Sequence, residues 1–178
     1  TAGPLSPGSW RISPDSERVL FFLSDQDLAG GRPYFSSELW ELDLATLAAE
    51  QVLADRWIGG ADYGPDPGVL LLQGSPSAFG GLGRNLPEGM QANDYGGQLY
   101  LYHRDRGEAT PLSLDLRPDV ARSWWSEADG HVYALCTETQ FRNLYRADPD
   151  AEEPRWERID TGLQYTDQVD LPRRGDTA

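Results

Sequence analysis

The side chains able to carry out a reaction are few in this 178-residue chain: two histidines, one cysteine and no lysine. Nucleophilic catalysis needs a base within reach of a serine or cysteine, together with donors for the oxyanion. The G-x-S-x-G elbow, which sets a serine on a strained strand–helix turn, is absent. Gly74-Ser75-Pro76-Ser77-Ala78 does not replace it, because the proline keeps that turn from running into a helix. His103 and His131 fall at the ends of predicted strands and read as solvated edge residues rather than bases. Cys136 takes an inward strand position with no activating base nearby, so it reads as a packed thiol. A single cysteine also excludes an internal disulfide. No catalytic residue is expected in this chain.

The same residues bound what it can hold. One cysteine and two distant histidines exclude a zinc-finger type of site. The acid pairs Asp25/Asp27 and Asp148/Asp150 lie in turn segments, where carboxylates accept backbone hydrogen bonds, and neither continues into an EF-hand loop. Gly80-Gly81-Leu82-Gly83 lacks the lysine and following hydroxyl of a phosphate loop. Those glycines are expected to tighten a loop or let it approach another backbone. Neither a metal nor a cofactor is expected. Trp124-Trp125 offers an aromatic platform for a sugar, but tryptophans at the strand ends of a repeat are expected to pack one sheet on the next. The side chains best placed to touch a ligand lie in a long polar insertion: Arg84, Asn85, Asp94 and Tyr95. Loops carry contacts of this kind more often than the scaffold does.

Those positions depend on strands. Ser123 to Asp148 reads as a strand ending in two tryptophans, a polar turn at Glu127-Ala128-Asp129-Gly130, a second strand from His131 to Cys136 and a third from Asn143 to Asp148. Period-two alternation over short runs, broken by Asp-Gly and Asp-Pro, marks antiparallel hairpins. The pattern occurs twice earlier. One copy holds Ser13-Pro14-Asp15 and the strand Glu38-Leu39-Trp40-Glu41-Leu42-Asp43-Leu44. The other turns at Gly64-Pro65-Asp66-Pro67-Gly68. With 19 glycines and 13 prolines the chain suits short strands and tight turns better than helices.

Four strands in each copy of roughly 45 to 60 residues is the mark of β-propeller blades. The expected fold is all-β, a partial propeller forming one domain over residues 1–178. Blade 1 covers about residues 10–53, blade 2 about 57–116 with an insertion at 74–97, and blade 3 about 121–160. A next blade is expected to start at 165–171. A generic antiparallel sandwich is the alternative. Three blades do not close a ring and leave faces and strand edges open. The chain therefore reads as part of a longer propeller, or as a half-ring closed by a homodimer.

Net charge is −14, and all 15 positive charges are arginine. Nucleic-acid binding needs a basic stripe, and none is visible. No apolar run is long enough to span a bilayer, no signal peptide is present, and the chain opens on Thr1 without an initiator Met. That start suggests a processed chain or a piece of something longer.

Ser-Pro-Asp at the first turn and Leu39-Trp40-Glu41-Leu42-Asp43 in the third strand resemble TolB-like propeller repeats. Such repeats also form the N-terminal propeller of prolyl oligopeptidase-family (S9) serine peptidases. The loop from Gly74 to Asn85, then Asn93-Asp94-Tyr95 and Gln98-Leu99-Tyr100-Leu101-Tyr102, is similar to a bacterial branch of that family. So are Asp129-Gly130-His131-Val132-Tyr133 and Asn143-Leu144-Tyr145-Arg146-Ala147-Asp148. The resemblance covers nearly the whole chain. It implies a large exported parent, periplasmic or secreted, whose propeller caps an α/β-hydrolase domain that carries the catalytic Ser, Asp and His outside this chain. The partners implied are that domain, the remaining blades and a peptide substrate, with this chain non-catalytic and gating access. A free-standing propeller that serves as a binding scaffold is the alternative.

Overall fold

The computed structural model describes residues 6–27, 34–55, 57–90 and 95–169. They build three antiparallel four-stranded sheets in chain order. The first holds β1 (Ser6–Ile12), β2 (Arg18–Asp27), β3 (Tyr34–Asp43) and β4 (Ala49–Ala54). The second holds β5 (Ile58–Tyr63), β6 (Val69–Gly74), β7 (Gln98–His103) and β8 (Glu108–Pro111). The third holds β9 (Asp119–Trp125), β10 (Val132–Glu138), β11 (Phe141–Ala147) and β12 (Glu157–Ile159). Each sheet is a meander with its first strand at one edge.

Register makes the three sheets superposable copies. Ile12 pairs with Val19, Tyr63 with Leu70 and Trp125 with Val132 at the mouth of the first hairpin of each sheet. The turns between those strands share one chemistry. The N–H groups of Ser13, Gly64 and Ser126 donate to the carbonyls of Arg18, Val69 and His131 at 2.9, 3.0 and 2.9 Å. Asp15, Asp66 and Asp129 each accept an N–H two residues on, from Glu17, Gly68 and His131. An aspartate that caps its own turn is why Ser-Pro-Asp, Gly-Pro-Asp and Ser-Glu-Ala-Asp are interchangeable here.

Side chains alternate between the two faces of each sheet, so every sheet has one set for each neighbour. Leu20, Phe22 and Leu39 of the first sheet pack with Leu70, Leu72, Tyr100 and Tyr102 of the second. From its opposite face, Leu71 and Leu99 pack with Val120, Val132, Ala134 and Cys136 of the third. Leu70 and Leu72 are fully buried, and each such leucine contributes about 1.5–3 kcal/mol. The three sheets therefore stack face to face in sequence and remain open rather than closing on themselves.

A charged clamp ties the first interface. Glu41 on β3 is buried and receives Arg104 in a two-pronged contact, Nη1 to Oε1 at 2.9 Å and Nη2 to Oε2 at 2.8 Å. The Tyr63 hydroxyl donates to Oε1 at 2.9 Å, and Arg18 stands 4.0 Å away. At the second interface the Trp125 ring lies over Gly64, where an added Cβ would come within 2.9 Å of it. Trp124 turns the other way and stacks on Tyr133 of its own sheet, with ring centroids 6.1 Å apart. Of the two tryptophans, only Trp125 packs between sheets.

The insertion between β6 and β7 opens with the kinked helical turn α1 (Ala78–Gly81), in which Phe79 (φ 52°) and Gly80 (φ 72°) are left-handed. Phe79 is held there by its N–H, which donates to Asp55 Oδ2 at 2.8 Å, and by edge-on contact with Tyr100. A 3₁₀ turn, Leu82–Arg84, follows. Gly83 sits where a Cβ would be 2.3 Å from the Tyr100 hydroxyl and 2.8 Å from Pro76 Cα. These glycines permit a close approach.

Past β12 the chain crosses the outer face of the third sheet. The strand expected at 165–171 is not formed among its described residues. Tyr165 makes one parallel bridge to Arg142, the Thr166 N–H donates to the Arg142 carbonyl at 2.9 Å, and Arg142 Nη1 pairs with Asp167 at 2.8 Å. Partnered by one end of β11 in place of a neighbouring strand, the segment has no ladder to extend. Residues 170 and 171 lie outside the described residues.

Candidate functional site

The first strand of each sheet is an edge strand, and β1, β5 and β9 run side by side with a cleft of about 560 Å³ along them. Arg11, Asp62, Gln73, Tyr95, Arg122 and Ser123 are its polar side chains of consequence, and glycines at 59, 60, 96 and 97 pave the rest. Period two explains the placement. On β1 and β5 the residues just inside the hairpin mouths, Arg11 and Asp62, occupy equivalent register positions opposite Leu20 and Leu71.

Asp62 Oδ1 lies 4.0 Å from Arg11 Nε across the first interface, and Oδ2 accepts the Trp125 N–H at 3.3 Å across the second. Burial pushes the Asp62 carboxyl above its usual range, with Arg11 and the Trp125 N–H acting against that rise. Gln73 bridges the second interface: its amide nitrogen donates to the Val120 carbonyl at 3.0 Å, and its oxygen accepts the Ser123 hydroxyl at 3.2 Å. Arg122 is exposed on β9, and no ion pair or hydrogen bond engages its guanidinium among the described residues. A smaller cleft of about 260 Å³ adjoins at Gly96 and Gly97, between the insertion and Arg117.

The insertion residues separate. Tyr95 is 97% exposed and stands at the rim of the larger cleft. Arg84 and Asn85 are exposed elsewhere, and Arg84 Nη2 donates to the Ser77 hydroxyl at 2.9 Å. Asp94 lies outside the described residues. Sequence reasoning missed Arg11, Asp62, Gln73 and Arg122. Arg11 and Asp62 share a register position beside the first turn of a blade, and that was the available signal.

Neither histidine forms a catalytic pair. The His131 ring sits against Asp129, with Nδ1 3.0 Å from its carbonyl oxygen, and Ser126 joins them through its backbone, its N–H donating to the His131 carbonyl at 2.9 Å. A serine nucleophile needs its hydrogen bond to the base, so this trio caps a turn. His103 closes β7 opposite Val69 and Glu108. Cys136 is buried, and burial together with the Asp119 charge pushes its thiol up to about 12. Asp148 Oδ1 accepts the Asp150 N–H at 3.0 Å. Among the described residues no group of three or more His, Cys, Asp or Glu is placed to hold a metal, and no helix is long and apolar enough to cross a membrane.

Solved structures share this arrangement at low sequence identity. One from a study of two prolyl endopeptidases matches with a TM-score of 0.56 at 15% identity, over 85% of this chain and 22% of its own. An oligogalacturonate lyase in complex with manganese gives 0.54 at 16%, over 84% and 40%. The oligogalacturonate lyase from Vibrio parahaemolyticus gives 0.53 at 16%, again over 84% and 40%. The three sheets are β-propeller blades. The chain spans well under half the length of each of these structures. No family model matches the sequence, and no curated protein matches it. With the blades assigned, β1, β5 and β9 are the first strands of their blades, and the cleft runs along them.

Proposed function

We propose that this chain is the non-catalytic propeller portion of an S9-type serine peptidase, gating or positioning peptide for a hydrolase domain outside it. The observation that carries the reading is the blade stack itself, which a prolyl endopeptidase structure matches over 85% of this chain. The blade turns and the Gly74–Asn85 loop, which resemble that family in sequence, support it. So does the open, largely polar cleft along the first strands of the blades. The propeller admits short, extended peptides through the channel and excludes folded proteins by width. The parent works in the periplasm or is secreted. Its partners are the hydrolase domain, the remaining blades and the peptide. Arg84 and Asn85, with Asp94 and Tyr95, contact the neighbouring domain or the peptide from the insertion.

The test uses the native gene product purified from its source cells. It should cleave short peptides, spare a folded protein containing the same sites, and lose activity to a serine-directed fluorophosphonate. No cleavage of any peptide would overturn the peptidase reading and leave a binding scaffold in its place.

A further inference from the structure

The cleft along β1, β5 and β9 brings together two arginines that carboxylates engage weakly or not at all. Acidic residues outnumber arginines 29 to 15, and most described arginines are taken up by carboxylates. Arg18 and Arg104 meet Glu41, Arg142 meets Asp167, Arg146 meets Glu157 and Arg155 meets Glu153. Arg122 is not, although its side chain lines the cleft of about 560 Å³. Arg11, on the opposite wall, reaches Asp62 only at 4.0 Å and through one nitrogen. A guanidinium presents five donors in a planar fork, so both arginines keep donors to offer. In a chain with surplus acid, two under-used arginines facing one groove mark a place where negative charge arrives from outside.

The shape of the groove narrows the ligand. A cleft of about 560 Å³ is far larger than a single ion needs. Its walls are the edges of β1, β5 and β9, each paired on one side only. An edge strand presents backbone donors and acceptors that an extended chain can take up. At Gly59 an added Cβ would meet nothing within 4 Å, so the β5 backbone is open to close approach there. Tyr95 provides an aromatic ring at the rim.

We propose that this cleft binds an extended peptide through acidic side chains, with Arg122 and Arg11 pairing to its carboxylates and the β5 edge meeting its main chain. The proposal gives the peptide class for the channel in the function proposed above, and rests on that reading only for the use to which the binding is put. Asp62 sets the strength of the Arg11 contact, and Arg122 is the principal anchor.

The probe is a fluorescein-labelled, N-acetylated and C-amidated pentapeptide, Gly-Asp-Glu-Asp-Gly, so that charge resides on side chains alone. Its Asn/Gln counterpart serves as the neutral reference. Titrated into the full chain and followed by fluorescence anisotropy, the acidic peptide should bind at least about tenfold more tightly than the neutral one, as expected for charge-assisted hydrogen bonds. Arg122→Ala should weaken it about tenfold, and Arg158→Ala, an exposed arginine on β12, should leave it unchanged. Gly59→Phe places a ring in open space and should abolish binding with the far-UV spectrum unchanged. Equal binding of the two peptides, or no effect of Arg122→Ala, would overturn the proposal. An equal loss in Arg158→Ala would reduce the effect to diffuse attraction and overturn it too. Digalacturonate binding more tightly than the acidic peptide would overturn the peptide class. Acidic-peptide binding that persists where the native product takes no fluorophosphonate label would sink the peptidase reading and keep this one.

Discussion

Arg104→Ala tests whether the first two blades are locked by charge. The substitution removes both hydrogen bonds into Glu41, whose side chain is 5% exposed, and leaves it the Tyr63 hydroxyl and Arg18 at 4.0 Å. Breaking a buried pair by deleting one partner costs about 3–5 kcal/mol. Arg104 is itself 19% exposed and water can enter the vacated space, so the lower end, about 3 kcal/mol, is expected. The effect should also depend on pH. Burial acts to raise the Glu41 carboxyl, but hydrogen bonds from Arg104 and Tyr63 outweigh it and hold the group below its usual range. A carboxyl depressed on folding adds stability above its unfolded value of about 4.3 and loses it as pH falls through the folded value. Without Arg104, burial dominates and the folded value rises above the unfolded one, so protonation relieves the variant. The gap between parent and variant is therefore widest near pH 7 and narrows toward about pH 4. Urea titrations at both pH values, read by tryptophan fluorescence, measure it. A gap under about 0.5 kcal/mol at pH 7, or one equal at both pH values, would refute the reasoning.

Three further outcomes follow from packing. Gly83→Ala forces a Cβ to within 2.3 Å of the Tyr100 hydroxyl and 2.8 Å of Pro76, and should cost about 1–3 kcal/mol in urea titration. Gly64→Ala pushes against the Val69 carbonyl at 2.8 Å and the Trp125 ring at 2.9 Å. It should cost a similar amount, about 1–3 kcal/mol, and shift the tryptophan emission. Cys136, buried with its thiol pushed up to about 12, should resist a thiol reagent at pH 8 until urea unfolds the chain; labelling of the folded protein at the free-thiol rate would contradict its placement.

Strands and turns were legible because their rules are local. Alternation from Val132 to Cys136 and the self-capping aspartates at Asp15, Asp66 and Asp129 can be read without knowing what lies across the molecule. The clamp could not be read that way, since Glu41 and Arg104 are 63 residues apart and each looks like an ordinary charge in a polar stretch. The cleft was hidden for a related reason. Arg11, Asp62 and Arg122 sit on unremarkable edge strands, and only the stacking of sheets gathers them around one cleft. Tyr95 and Arg84 were singled out by their place in a polar insertion; Tyr95 stands at the rim of the cleft, and Arg84 Nη2 donates to Ser77 within the insertion.

The intact mass of the native gene product, taken from source cells after fluorophosphonate treatment, tests the central claim most directly. A labelled product several times heavier than 19.8 kDa is the expected result, because the reading requires further blades and a serine hydrolase domain in the same protein. A product near 19.8 kDa, or a heavier one that takes no label, would contradict it.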